Sequence, residues 1–101
     1  MADPNEVVIT PEAIVEIDGA YTWFEGQRKG LGSEFKSALD TCIVLICQFP
    51  LANERVRKEY RRALLTRFRY AVYYECIDDV VTIHSVFHCA QNPRKLRKRL
   101  P

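Results

Sequence analysis

The spacing of apolar positions changes period twice along this chain. Glu6 to Thr10 (EVVIT) is a short β-branched run that ends on Thr10-Pro11-Glu12. Threonine followed by proline and an acid marks a helix start, with Thr10 as N-cap and Pro11 at the first helical position. From Pro11 to about Arg28 the period is helical. Ala13, Ile17, Ala20, Tyr21 and Phe24 form one stripe with Ile14 beside it, while Glu12, Glu16, Asp18 and Glu25 fall mainly elsewhere, as an amphipathic surface helix requires. Trp23 lies off the stripe; packing is its expected role and contact with a partner the alternative. Gly30-Leu31-Gly32-Ser33 is the break, with Gly30 ending the first helix in the left-handed conformation and Ser33 capping the next. Phe35, Leu39, Cys42, Ile43 and Ile46 then repeat at three and four through a second helix ending near Gln48. Phe49-Pro50 closes it, because the residue before a proline resists helical dihedrals. So short a turn predicts an antiparallel helical hairpin.

Leu51 to Val56 carries no clear pattern and is expected to be loop. Arg61 to His88 then reads as three short strands, rich in β-branched and aromatic residues and joined by tight turns, with Asp78 and Asp79 suited to a hairpin. In the middle strand Val72, Tyr74 and Cys76 are expected to face the helices, and Ala71, Tyr73 and Glu75 the opposite side. In the last strand Val81, Ile83, Ser85 and Phe87 form the expected inward set, leaving His84, Val86 and His88 on the open face. In the preceding strand Ala63 and Leu65 point inward, and Arg62 and Leu64 outward. The order is β-α-α-β-β-β: an α+β fold in which a helical hairpin packs on a small antiparallel sheet. Residues 93–101 add a basic tail or short helix starting at Pro93, unpaired by hydrophobic pattern and expected to fray.

Composition fits that picture. A chain of 101 residues, 48% apolar and 28% charged, suits a single domain spanning 1–101; at that size roughly 60–70% of the unfolded surface is buried on folding. No apolar run approaches the ~20 residues of a membrane span. The N-terminus lacks the basic and long apolar regions of a signal peptide, so a cytoplasmic location is expected. Cys42, Cys47, Cys76 and Cys89 have no zinc-type spacing and read as reduced thiols, mostly buried, with Cys89 the most exposed. His84 and His88 share a strand at a separation of ~13 Å, too far for one ion. No metal and no cofactor is expected.

Net charge is only +2, but it is unevenly placed. Arg55, Arg57, Lys58, Arg61, Arg62, Arg67 and Arg69 crowd one segment, and Arg94, Lys95, Arg97, Lys98 and Arg99 crowd the tail. The first half is nearly balanced by its acids. Such asymmetry favours an anionic partner, nucleic acid or an acidic protein segment, over a merely solvated face. Tyr70, Tyr73 and Tyr74 among these arginines suit either cross-strand packing, the commoner role of strand tyrosines, or base stacking.

Several stretches together resemble the ParE/RelE superfamily of bacterial type II toxins, nearer its ParE-like plasmid stabilisation members. Trp23, Gln27, Gly30, Leu31, Gly32 and Phe35 match the pattern W-x-x-x-Q-x-x-G-L-G-x-x-F. RRALLTRF, YAVYY and IHSVFH follow in order, then NP and basic residues. Arg69 departs from the pattern, standing where these toxins often have proline before the tyrosine; as a strand residue it should cost little. The resemblance implies a hairpin on a sheet and a cognate antitoxin whose segment wraps both. A homodimer, or a heterotetramer with the antitoxin, is compatible with it.

The superfamily holds two activities. RelE-type members cut mRNA in the ribosome and need phosphate-binding cations and a general acid or base. ParE-type members inhibit DNA gyrase by binding. RelE's residues carry over poorly: its first sheet lysine falls on Arg62, the second on Leu64, its middle-strand arginine on Ala71, and no aromatic follows Phe87. His88 takes the place of a histidine that some ribosome-dependent relatives use, and its type suits acid–base work near neutral pH; capping a backbone group is the alternative. The leading expectation is therefore a toxin that binds a macromolecular target, gyrase for preference. Arg61, Arg62, Arg67, Arg69, Tyr73, His84, His88, Arg94, Lys95, Arg97 and Arg99 are its expected contacts with target or antitoxin. The alternatives are a ribosome-dependent endoribonuclease using Arg62, His88 and Arg94, and an inert member that binds only antitoxin or DNA.

Overall fold

A computed structural model of the chain describes residues 6–90 together with 94, 95, 98 and 100. β1 (Glu6–Ile9) leads into α1 (Pro11–Gln27) and α2 (Leu31–Gln48), followed by β2 (Arg55–Arg57), β3 (Tyr60–Leu64), β4 (Tyr70–Ile77) and β5 (Val80–His88). The strands form one sheet in the order β1-β5-β4-β3-β2. β1 pairs with β5 in parallel, and all other pairs are antiparallel. The expected hairpin on a sheet is present, but the sheet is mixed and gains a strand where a loop was expected. β2 has only three residues, too few to reveal a period of two in sequence.

Thr10 starts α1 as expected. Its Oγ1 accepts from the Ala13 N–H at 3.1 Å and its own N–H donates to the Ile83 carbonyl at 3.1 Å, so the helix start is fixed to β5. The hairpin turn differs from expectation. Gly30 is left-handed (φ 90°) and immediately precedes α2, placing Ser33 inside the helix rather than at its cap. The orphan N–H groups there are met by Glu25, whose carboxylate accepts from Gly30 and Gly32 at 2.9 Å each. A Cβ on Gly32 would lie 2.8 Å from the Tyr21 carbonyl oxygen, so glycine is what lets the two helices approach this closely.

The core lies between the helices and one face of the sheet. Ala13, Ile17, Ala20 and Phe24 of α1, and Phe35, Leu39, Cys42 and Ile46 of α2, meet Ala63, Leu65, Val72, Tyr74, Val81, Ile83 and Val86. Ile14 and Trp23 are exposed, and Trp23 only edges against Phe24. The other face carries a second cluster of Tyr60, Ala71, Tyr73, Phe87 and Leu100. The side holding Glu75 is therefore partly covered. Leu100 is 3% exposed, so the tail is not without apolar contact; Pro93 lies outside the described residues.

The last strand also turns over midway. Tyr73 pairs with Ser85 while Tyr74 pairs with Ile83, leaving His84 as the extra residue of a β-bulge. Beyond it the facing alternates in the opposite sense: Val86 joins the core and Phe87 the outer cluster, the reverse of the expected assignment. His88, next in the alternation, packs edge-on against Tyr70, whose ring meets Phe24 and Phe35 of the helices. His84 and His88 thus lie on opposite faces of β5.

Left-handed turn residues set the remaining geometry. Asp78 (φ 52°) and Asp79 (φ 62°) join β4 to β5, a left-handed pair whose twist matches the strands it connects. Phe68 (φ 73°) and Arg69 (φ 55°) close the longer 65–69 connection from β3 to β4. Arg69 is therefore a turn residue, not a strand residue, and a proline ring, locked near −65°, does not fit its conformation. Phe68 is bulky for positive φ; its ring is held by Phe24 and Phe35 at centroid distances of 4.9 and 5.7 Å.

Candidate functional site

The basic segment does not form one cationic cradle. Arg61 donates to the carbonyls of Asn53 at 2.6 Å and Leu51 at 3.3 Å. It thereby fastens the α2–β2 loop, which Tyr74 holds from below by donating to the Pro50 carbonyl at 2.8 Å. Arg67 pairs with Glu34 at 3.1 Å and stacks over Phe68 at 4.5 Å. Arg28 meets the same carboxylate at 3.2 Å, and Arg67 and Arg28 hold the Glu34 carboxyl below the usual carboxylate range. Arg55 pairs with Glu59 at 3.3 Å, and Arg62 with Glu54 at a loose 3.9 Å. Exposed pairs of this kind add little stability, but they halve the charge that the row of arginines presents.

The outer face gathers a different set. Arg62 sits opposite Tyr73 across β3 and β4. Beside them, Nε2 of His84 lies 2.7 Å from Oε1 of Glu75, and the Tyr60 ring stands edge-on to the imidazole at 5.0 Å. Burial, then the Glu75 charge, raises the Tyr60 hydroxyl pKa above its ordinary value. A carboxylate fixing an imidazole is the orienting arrangement of general acid–base sites. The pair is half-buried, at 19% and 23% side-chain exposure, so direct access to a polymer backbone is narrow. Sequence reasoning singled out His84 but not Glu75 or Tyr60. The hairpin turn alone sets Glu75 opposite Thr82, two residues from His84, and that was the available signal.

His88 is placed apart from this set. Its Nδ1 accepts from the Ala90 N–H at 3.0 Å, the backbone-capping role, and its ring leans on Tyr70. Arg62 on the outer face and His88 on the helix side do not converge on one phosphate. Arg69 is exposed at its turn, and its carbonyl accepts from the Cys89 N–H at 2.8 Å. Arg94 and Lys95 are exposed; Arg97 and Arg99 lie outside the described residues. Among the described residues no cluster of histidine, cysteine or acidic side chains could hold a metal, and no helix is long and apolar enough to cross a membrane.

A shallow groove of about 120 Å³ runs between α2 and β3, with Thr41, Leu45, Asn53, Leu64 and Thr66 among its lining. Leu45 and Leu64 are 52% and 60% exposed, an apolar rim unusual for a surface helix and strand. The thiols are unevenly accessible: Cys42 is buried, Cys47 and Cys76 are intermediate, and Cys89 is exposed. Burial pushes the Cys42 thiol up to about 11. At pH 8 iodoacetamide should modify Cys89 first and Cys42 last, as followed by peptide mass spectrometry. Early Cys42 labelling would show that the α2 face is not packed as described.

No protein-family model matches the chain, and no curated protein matches its sequence. Its fold does match a solved structure described as the chromosomal ParDE TA system from P. aeruginosa. The superposition has a TM-score of 0.74 and covers 86% of this chain and 98% of that one, at 11% identity. The expected ParE-like architecture, a helical hairpin on a sheet, is therefore the fold of this chain.

Proposed function

We propose that this protein is the toxin of a bacterial type II toxin–antitoxin pair, acting in the cytoplasm by binding a macromolecular target, DNA gyrase for preference. The observation that carries this reading is the fold match to a chain of the ParDE system over nearly the whole of both chains. The arginine pairings support a binding mode over phosphate chemistry, because Arg61 and Arg67, two of the arginines expected to hold a target, are tied to carbonyls and an acid of the protein itself. The groove at Leu45 and Leu64 offers an apolar seat for a cognate antitoxin segment, with the exposed cations Arg69 and Lys95 to meet an acidic flank.

Induction alone should arrest bacterial growth, and co-expression of the adjacent antitoxin reading frame should restore it. Purified protein should inhibit gyrase supercoiling, relieved by the antitoxin. Absence of growth arrest sinks the toxin reading. Arrest without gyrase inhibition at micromolar protein removes gyrase only. The His84–Glu75 contact favours a second reading, ribosome-dependent mRNA cleavage. That reading requires cut mRNA on translating ribosomes and its loss in His84→Ala; intact mRNA excludes it.

A further inference from the structure

We propose that the C-terminal half of α2 and the α2–β2 loop form a docking surface for an anionic lipid bilayer, on which the protein lies without crossing it. Thr41 to Asn53 contains no charged residue, and the nearest acids in the chain are Asp40 and Glu54. Within it Val44, Leu45, Phe49 and Leu51 are each more than half exposed. Leu45 and Phe49 stand one helical turn apart at the end of α2, Val44 lies beside them, and Leu51 follows in the loop. So many open apolar side chains in one run mark a contact surface. It adjoins the α2–β3 groove at Leu45 and does not depend on the toxin reading.

Two features choose a bilayer over a protein. The first is that the loop backbone is satisfied from within. The Phe49 carbonyl accepts from the Ala52 N–H at 3.1 Å, and the Phe49 N–H donates to the Leu45 carbonyl at 2.9 Å. The Pro50 carbonyl accepts from the Tyr74 hydroxyl, and those of Leu51 and Asn53 accept from Arg61. A bilayer offers no hydrogen bonds in exchange for those of water, so a segment that enters its boundary must bring its own. A protein partner imposes no such requirement.

The second feature is the charge that follows. Arg55, Arg57, Lys58, Arg61 and Arg62 stand against Glu54 and Glu59, and β2, which carries the first two, is an edge strand exposed throughout. Shallow apolar insertion beside a basic cluster combines two weak signals into stable attachment to anionic lipid. A second copy docked patch to patch would instead bring the same cations of both chains together.

Sedimentation of the full chain with vesicles tests this. The protein should co-sediment with vesicles of equal parts phosphatidylcholine and phosphatidylglycerol and stay in solution with pure phosphatidylcholine. Phe49→Ser/Leu51→Ser should abolish binding, while Ile14→Ser/Val15→Ser, which alters another exposed apolar pair on α1, should leave it unchanged. Arg55→Gln/Lys58→Gln should weaken it about tenfold. Trp23 is the single tryptophan, so Phe49→Trp with Trp23→Phe places one indole at the surface; brominated acyl chains should quench its emission, which decides the matter if the serine variant proves unstable. Equal binding to both kinds of vesicle would overturn the anionic surface. No binding, binding unchanged in Phe49→Ser/Leu51→Ser, or an unquenched indole would overturn the insertion and leave the patch to a protein partner.

Discussion

Phe35→Ala should lower the unfolding free energy by about 3–5 kcal/mol, the usual range for emptying a buried phenyl site. Phe35 is 0% exposed. Its ring meets Phe24 of α1 at 5.2 Å, Tyr70 of β4 at 5.1 Å and Phe68 of the β3–β4 turn at 5.7 Å. One side chain therefore joins both helices to the sheet and holds Phe68 in its left-handed turn. Collapse around the void would have to move a helix or that turn, which places the cost toward the upper end. Total stability for a domain is only about 5–15 kcal/mol, so the melting temperature should fall by at least about 12 °C. Urea titration of the two proteins measures the difference directly. Trp23→Ala, which empties no core site, is the control and should cost below about 1 kcal/mol. A loss at Phe35 no larger than at Trp23 would place the core elsewhere.

That aromatic junction was legible in the chain, because helical periodicity and the Gly30–Gly32 break put Phe24 and Phe35 on facing stripes at the closed end of a hairpin. The helix start at Thr10-Pro11 was equally plain. The sequence cues failed where a structural decision has no local signal. β2 is shorter than the period that would reveal it. Alternation predicted the facing of β5 up to Ile83 and reversed it afterwards, since a single inserted residue exchanges the two faces and nothing in IHSVFH announces a bulge. Ser33 was the expected cap by residue type, but α2 starts at Leu31, and Glu25, a full turn before the break, accepts from the Gly30 and Gly32 N–H groups instead. At the candidate site, charge density pointed to the segment from Arg55 to Arg69. It did not show that Arg61 and Arg67 serve the fold, since that depends on where the α2–β2 loop and Glu34 come to lie.

The end of β5 beyond β1 carries the other large expected effect. Glu16→Ala should destabilise the protein by about 3 kcal/mol, because it removes the acceptor of two inward donors at once. Ser85 is 0% exposed, and its hydroxyl and the Val86 N–H both donate to Glu16 Oε1. β1 pairs with β5 only as far as Ile83, so on that edge the Val86 donor has no strand partner to fall back on, and α1 covers it. Glu16→Gln retains a carbonyl oxygen in the same place and should cost below about 1 kcal/mol, so the loss belongs to the acceptor and not to the charge. Adding Ser85→Ala to Glu16→Ala removes one of the two stranded donors and should recover part of the loss, a non-additive pair by double-mutant cycle. Hydrogen exchange locates the effect: the Val86 amide should lose protection in Glu16→Ala ahead of its neighbours in β5. Stability of Glu16→Ala within about 0.5 kcal/mol of the parent, with the Val86 amide still protected, would mean that the end of β5 is held by the sheet alone.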